Sequence, residues 1–188
     1  MFFHAGNVVH SCAAPDILCF GVAPHMMQRT PLDQPMTLFL STYANKVDRK
    51  GRVSVPAPFR AALAGQAYPG VVLFRSSTQS CLEGFAFSTM EELGRRLDHF
   101  DLFSSAQDDL ATAIFGEAMQ LPFDAEGRIV IPENLIAHAA IDEQAVFVGL
   151  GRKFQIWNLA AFEKRREEAR AQVRDKNLTL PRLAEDAA

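Results

Sequence analysis

Cysteine is scarce in this 188-residue chain: three residues, Cys12, Cys19 and Cys81, with no CxxC spacing between them. That argues against a disulfide framework and against a thiolate zinc site, and suits a reducing cytoplasm. Long apolar runs are missing too, since no stretch reaches the roughly 18–20 consecutive apolar residues of a membrane span. The five histidines, His4, His10, His25, His99 and His138, are scattered and form no HExxH pair. Neither a GxSxG elbow nor a GxxxxGK[ST] phosphate loop occurs, and "GLGRKF" from Gly149 lacks the third glycine of a dinucleotide loop. Little is left for an enzyme, and no metal or cofactor is expected.

Residues 1–35 are short of both charge and period. Their one Lys or Arg is Arg29, so no basic region precedes the apolar "ILCFGVA", as a secretory signal requires. They are expected to be a disordered N-terminal extension, or an upstream extension of the reading frame ahead of Met36.

What the chain does have is a sentence written twice. "VDRKGRVSVPAPFR" from Val47 is answered 76 positions later by "FDAEGRIVIPENLI". Asp48 matches Asp124, Gly51 matches Gly127, Arg52 matches Arg128 and Pro56 matches Pro132, while Val53, Val55 and Phe59 match Ile129, Ile131 and Leu135. Glycine after a charged run gives a tight turn that delivers the chain into a strand. Period two then sets Val53 and Val55 on one face and Arg52 and Ser54 on the other. Pro56 and Pro58 suit the first turn of a helix in which Phe59, Ala62 and Leu63 recur at i, i+3 and i+4.

The likeness continues at a shifted register. "LEGFAFSTME" from Leu82 aligns with "FQIWNLAAFE" from Phe154, each running into a helix, and the apolar "GVVLFRS" and "AVFVGLG" ahead of them read as buried strands. Each half therefore predicts strand, strand, helix, strand, strand, helix: an α+β chain. Leu110, Ile114, Ala118 and Leu121 at helical spacing predict a joining helix. The expected organisation is a first half at 36–97, a joining region at 98–121, a second half at 122–165, and a C-terminal helix and tail at 166–188.

With "TYANKVDRKGRVSVP", a second "FDAEGRIVIP" box and an "IWN" strand before a charged helix, the chain resembles the MraZ family of bacterial transcriptional regulators over about residues 38–165. The shared signature is an Asp-x-x-x-Arg pair in both halves. The resemblance implies tandem AbrB-like halves forming a swapped-hairpin β-barrel, assembly into a homo-oligomeric ring, and binding of double-stranded DNA at short direct repeats. It further implies that those repeats lie in the chain's own upstream region, ahead of the division and cell-wall gene cluster, with a cytoplasmic, nucleoid-associated location. AbrB-like folds also serve as oligomeric scaffolds and antitoxins, the alternative reading. A single such half with a disordered tail would be expected of an antitoxin, whereas this chain has two halves.

Net charge is −3, unhelpful to a DNA binder as a total, yet phosphates respond to local charge. Residues 46–60 hold Lys46, Arg49, Lys50, Arg52 and Arg60 against Asp48, a balance of +4. Residues 122–134 hold Arg128 against Asp124, Glu126 and Glu133, a balance of −2. The candidate DNA contacts are Lys46, Arg49, Lys50, Arg52 and Arg128, with the first box expected to carry most of them. Asp48, Gly51, Asp124 and Gly127 are expected to build the turns and bridge the arginines. Trp157 and His138 are expected to be core residues, the histidine with its hydrogen bonds satisfied.

Overall fold

The first half runs β1 (Thr42–Lys46), β2 (Arg52–Ser54), α1 (Ala57–Ala62), β3 (Gly70–Arg75), β4 (Leu82–Phe85) and α2 (Phe87–Leu97). A connection follows, with α3 (Ser105–Ala111) leading into one π-helical turn at Thr112–Gly116. The second half repeats the order as β5 (Met119–Pro122), β6 (Arg128–Val130), α4 (Glu133–His138), β7 (Gln144–Gly149), β8 (Phe154–Trp157) and α5 (Leu159–Asp175). These elements come from a computed structural model, which describes residues 38–101 and 104–180. The expectation for residues 1–35 lies outside the described residues. The α+β class and the six-element order of each half agree with the sequence reading.

Partnership between strands crosses the halves. Six strands form one antiparallel sheet in the order β1-β7-β8-β4-β3-β5, and β2 pairs β6 in a separate ribbon. Each half's opening strand thus pairs in the other half: Thr42 to Lys46 lie opposite Val148 to Gln144, and Gly70 to Leu73 lie opposite Pro122 to Met119. The repeated apolar residues meet inside. Val53, Ile129, Ile131, Phe59 and Leu135 are 1% exposed and Val55 2%, so the matched positions of both copies line one core. Phe59 sits at its centre, with ring centroids 5.1 Å from Phe39 and 5.4 Å from Phe154. Burying one such side chain contributes about 1.5–3 kcal/mol, so residue type at these positions is set by packing.

The prolines act where the strands must stop. Pro56 and Pro132 are the extended N-cap residues of α1 and α4, and Pro58 lies inside the first turn of α1. There the missing N–H costs nothing, because the first N–H groups of a helix have no intrahelical partner.

Three local expectations differ from the structure. The helix read through Leu121 ends at Gly116, and Met119–Pro122 is a strand, so the second half opens ahead of residue 122. Met119 and Leu121 also satisfy period two, and pairing with the edge of β3 buries Leu121 to 8% exposure, whereas Leu110 on α3 is left 40% exposed. The boundary at residue 165 falls inside one continuous helix, α5, capped at its start by Asn158 Oδ1 accepting from the Ala160 and Ala161 N–H groups. Trp157 is buried, its Nε1–H donating to Gln155 Oε1 at 3.0 Å, but His138 Nε2 is buried with no partner among the described residues.

Candidate nucleic-acid interface

Each box begins as a turn closed by its own backbone. Gly51 N–H donates to Asp48 O at 2.9 Å and Gly127 N–H to Asp124 O at 3.0 Å, and both glycines sit at φ +74°, a region that L side chains enter only with strain. The aspartate then clamps the strand it precedes. Asp48 Oδ1 accepts from the Lys50 and Arg52 N–H groups, both at 2.9 Å, while Oδ2 accepts from Arg52 Nε at 2.6 Å. In the second box Asp124 Oδ1 accepts from Glu126 N–H at 3.0 Å and Arg128 N–H at 2.8 Å, and Oδ2 from Arg128 Nε at 2.7 Å. These bonds, led by the arginine's backbone N–H, hold both aspartates below the ordinary carboxylate value, so they stay ionised at neutral pH.

The two turns are stitched to each other. Val55 N–H donates to Gly127 O at 3.1 Å, and Ile131 N–H to Gly51 O at 2.9 Å. Between them the β2–β6 ribbon pairs Arg52 with Val130, Val53 with Ile129 and Ser54 with Arg128. Alternation buries Val53 and Ile129 and turns Arg52, Ser54, Arg128 and Val130 to the other face, where Val130 is 54% exposed. The two arginines are diagonal neighbours there, about 7–8 Å apart by strand geometry. The hydrogen bond to Asp124, then the charges of Asp124 and Glu126 and, from across the ribbon, Asp48, raise the Arg128 pKa.

What the arginines offer beyond their clamps differs. Arg52 uses Nε alone, and its two terminal nitrogens have no partner among the described residues. Arg128 also donates from Nη2 to Glu126 Oε2 at 2.9 Å. Around Arg52, the exposed Lys46, Arg49 and Lys50 have no acidic side-chain partner among the described residues. At the matched places the second box has Pro122, Ala125 and Glu126. Arg60 of α1 was not singled out as a site by the sequence reading. It lies over the second turn, where a Cβ on Gly127 would stand 2.5 Å from Arg60 Nη1. The available signal was a mismatch in the repeat, arginine at 60 against isoleucine at 136.

A groove of about 580 Å³ at the start of α5 is lined by Asp142, Glu143 and Glu163 among others, and its charge repels phosphate. Among the described residues no group of three or more His, Cys, Asp or Glu could hold a metal ion, and no helix is long and apolar enough to cross a membrane.

The fold and site define a tandem-repeat α+β protein whose halves exchange their opening strands and present two Asp–Arg clamps on one ribbon. Comparison with known sequences carries this further. The profile of the family described as "MraZ protein, putative antitoxin-like" matches residues 38–111 and again 114–180. A "Transcriptional regulator MraZ" of Gluconobacter oxydans (strain 621H) is 47% identical over 142 residues, covering 74% of this chain and 87% of that protein. Proteins of the same name from Rickettsia canadensis (strain McKiel) and Gluconacetobacter diazotrophicus are 45% and 46% identical, covering 97% and 93% of their own lengths and 77% and 78% of this chain. The chain belongs to the MraZ family.

Proposed function

We propose that the chain is a sequence-specific, DNA-binding transcriptional regulator, not an enzyme. It acts in the cytoplasm, at the nucleoid, as a homo-oligomeric ring on short direct repeats of double-stranded DNA in its own upstream region, and controls the division and cell-wall gene cluster. The observation that carries this reading is the fork of Arg52, fixed at Nε by Asp48, with its terminal nitrogens and the side chains of Lys46, Arg49 and Lys50 beside it without a partner among the described residues. A guanidinium held at one edge and open at the other suits a phosphate or a guanine edge, and three neighbouring cations supply the electrostatic attraction. The second box, with Arg128 drawn onto Glu126, contributes less contact and completes the scaffold. Its scaffold role is the swapped-hairpin barrel, a reading supported by the exchanged strands and by the bridge from Val47, just after β1, to Val53 of β2. The regulatory unit starts at Met36, so a chain begun there should assemble and bind like the full one.

The test is a gel-shift titration with the DNA upstream of the chain's own reading frame, against a scrambled duplex of equal length. Retention of the first alone is expected. The second reading, a protein-binding antitoxin-type module, is favoured by the antitoxin-like description of the family. A folded chain that shifts neither duplex would support it and overturn the first.

A further inference from the structure

The geometry points to Arg60 as a further DNA-backbone contact, supplied by the first half's helix to the second half's turn, where it lies over Gly127. The inference rests on the DNA-binding reading and deepens it.

By sequence Arg60 belongs with the first box; by position it belongs with the second. A Cβ on Gly127 would meet Arg60 Nη1 at 2.5 Å and its Cδ and Cζ at 2.7 Å. On Gly51 a Cβ would instead meet Ile131 O at 2.5 Å and Ile136 Cδ1 at 3.1 Å. Both turns thus lie beneath the helix of the opposite half, one beneath an isoleucine and one beneath an arginine.

A purely structural arginine here would be expected to spend its fork on the carboxylates of the turn it covers. It does not. Asp124 is engaged by Arg128 through Nε and Glu126 by Arg128 through Nη2. Arg60 donates Nε to Val55 O at 3.2 Å, and its remaining nitrogens have no partner among the described residues. One bond to a backbone carbonyl orients the guanidinium, and the terminal N–H groups stay open on an exposed residue. That is the arrangement a phosphate accepts, because the fork can donate two parallel hydrogen bonds to its oxygens.

Charge gives the same assignment. Moving Arg60 from the first group to the second changes the balances from +4 and −2 to +3 and −1. The acidic turn thereby gains a cation from the opposite half, set against Gly127. A duplex lying along the ribbon then meets +3 at one end and −1 at the other, a weaker repulsion at the second turn than the −2 of the sequence window alone.

The experiment uses the full chain and a duplex of its upstream region, with affinity measured across a salt series. Arg60→Gln removes the charge, Arg60→Met keeps the aliphatic stem over Gly127, and Arg60→Lys keeps the charge without the fork. Expected for Gln and Met are an affinity loss of roughly 5- to 20-fold and a salt slope smaller by about one. The Lys variant should keep the slope and lose less. Unchanged affinity and slope in a folded Gln or Met variant overturns the assignment, as does a loss that leaves the slope intact and tracks a lower melting temperature.

Should both neutral variants unfold, the wild type is treated with an arginine-directed dicarbonyl reagent and digested for mass spectrometry. Protection of Arg60 by DNA supports the contact, and equal modification with and without DNA overturns it. Arg52→Ala is run beside these. A wild type that binds no DNA fails the broader reading and Arg60 with it, whereas binding that needs Arg52 but not Arg60 fails Arg60 alone.

Discussion

The two turns hold their glycines at the same φ, lay the same pair of N–H groups on one aspartate oxygen and set the same Nε on the other, yet Lys46, Arg49 and Lys50 of the first stand where the second has Pro122, Ala125 and Glu126. What is shared is what the backbone needs. Glycine takes the positive φ, aspartate gathers the N–H groups, proline stops the strand, and the apolar set fills one core. The positions that differ point to solvent and carry charge. The arginine of each clamp answers to both demands, since its Nε and N–H belong to the turn while its terminal nitrogens face outward. Repetition of Arg52 and Arg128 is therefore weak testimony to equal function, and the surroundings have to decide.

The largest expected effect comes from exchanging the two arginines for alanine one at a time. Arg52→Ala should reduce operator affinity by about 1–3 kcal/mol per contact, compounded where several copies engage one DNA. Arg128→Ala should fall at or below the lower end of that range, because part of its fork is already committed to Glu126. Circular dichroism and oligomer mass should stay unchanged, the side chains lying on the ribbon face opposite Val53 and Ile129. Equal losses from the two substitutions would break the comparison, and tight binding by a folded Arg52→Ala chain would sink the proposed interface.

If each subunit offers one strong reading edge, the next effect lies in the DNA. A duplex with one repeat should bind poorly and two correctly spaced repeats much better, since linked contacts raise avidity without any one being tight. Inserting about 5 base pairs, half a helical turn, should weaken binding by rotating the second repeat away. A titration series over repeat number and spacing checks this, and equal affinity throughout would count against a ring of equivalent edges.

Much of this was legible in the sequence because the repeat speaks twice about the same geometry. Val53 with Ile129 and Phe59 with Leu135 mark a core position by keeping apolar character while the residue changes, and the order of elements in each half, the second half's opening strand apart, follows from its periods. Strand exchange was not derivable from the residues, because the pattern of β1 records that one face is buried and not which strand lies beside it. The stretch Met119–Pro122 was misread for a related reason: a short apolar run fits both periods, and only the open edge of β3 decides. At the interface, the aspartates, glycines and arginines stand out as the repeat's fixed points. The tether from Glu126 to Arg128 is local, two residues apart, but which way each side chain turns is not written in the pattern, and the seat of Arg60 on Gly127 depends on a meeting across halves that no window of sequence contains.

Acid should act on both turns alike, and so test how far their likeness extends. Asp48 and Asp124 have folded values below the ordinary 3.8, so each contributes stability that is present above that value and lost as pH falls through the folded one. Melting temperature should be insensitive to these groups from neutrality down to about pH 4 and should fall below it. Asp48→Asn and Asp124→Asn should each remove a similar share of that acid dependence. A clear difference between them, read from melting curves over pH 2–5, would show that the clamps are unequal as structure as well as unequal in charge.

The smallest effect has the most informative sign. Glu126 is the residue that most separates the boxes: it stands where the first has Lys50, and its carboxylate takes Arg128 Nη2 at 2.9 Å. Removing it cancels a negative charge beside the expected DNA path and opens the Arg128 fork, while the clamp through Asp124 remains. Glu126→Ala should therefore strengthen binding, by about twofold to fivefold at moderate salt, the scale of an exposed charge contact. Arg49→Ala and Lys50→Ala should each weaken it and lower the salt slope. Glu126→Ala should raise the cost of a second change at Arg128, so that Arg128→Ala in the Glu126→Ala background loses more than in the wild type. If instead Glu126→Ala weakens binding, the glutamate serves the interface, for instance by accepting from a cytosine amino group. The second box would then be a reader in its own right rather than a scaffold bearing a restrained arginine.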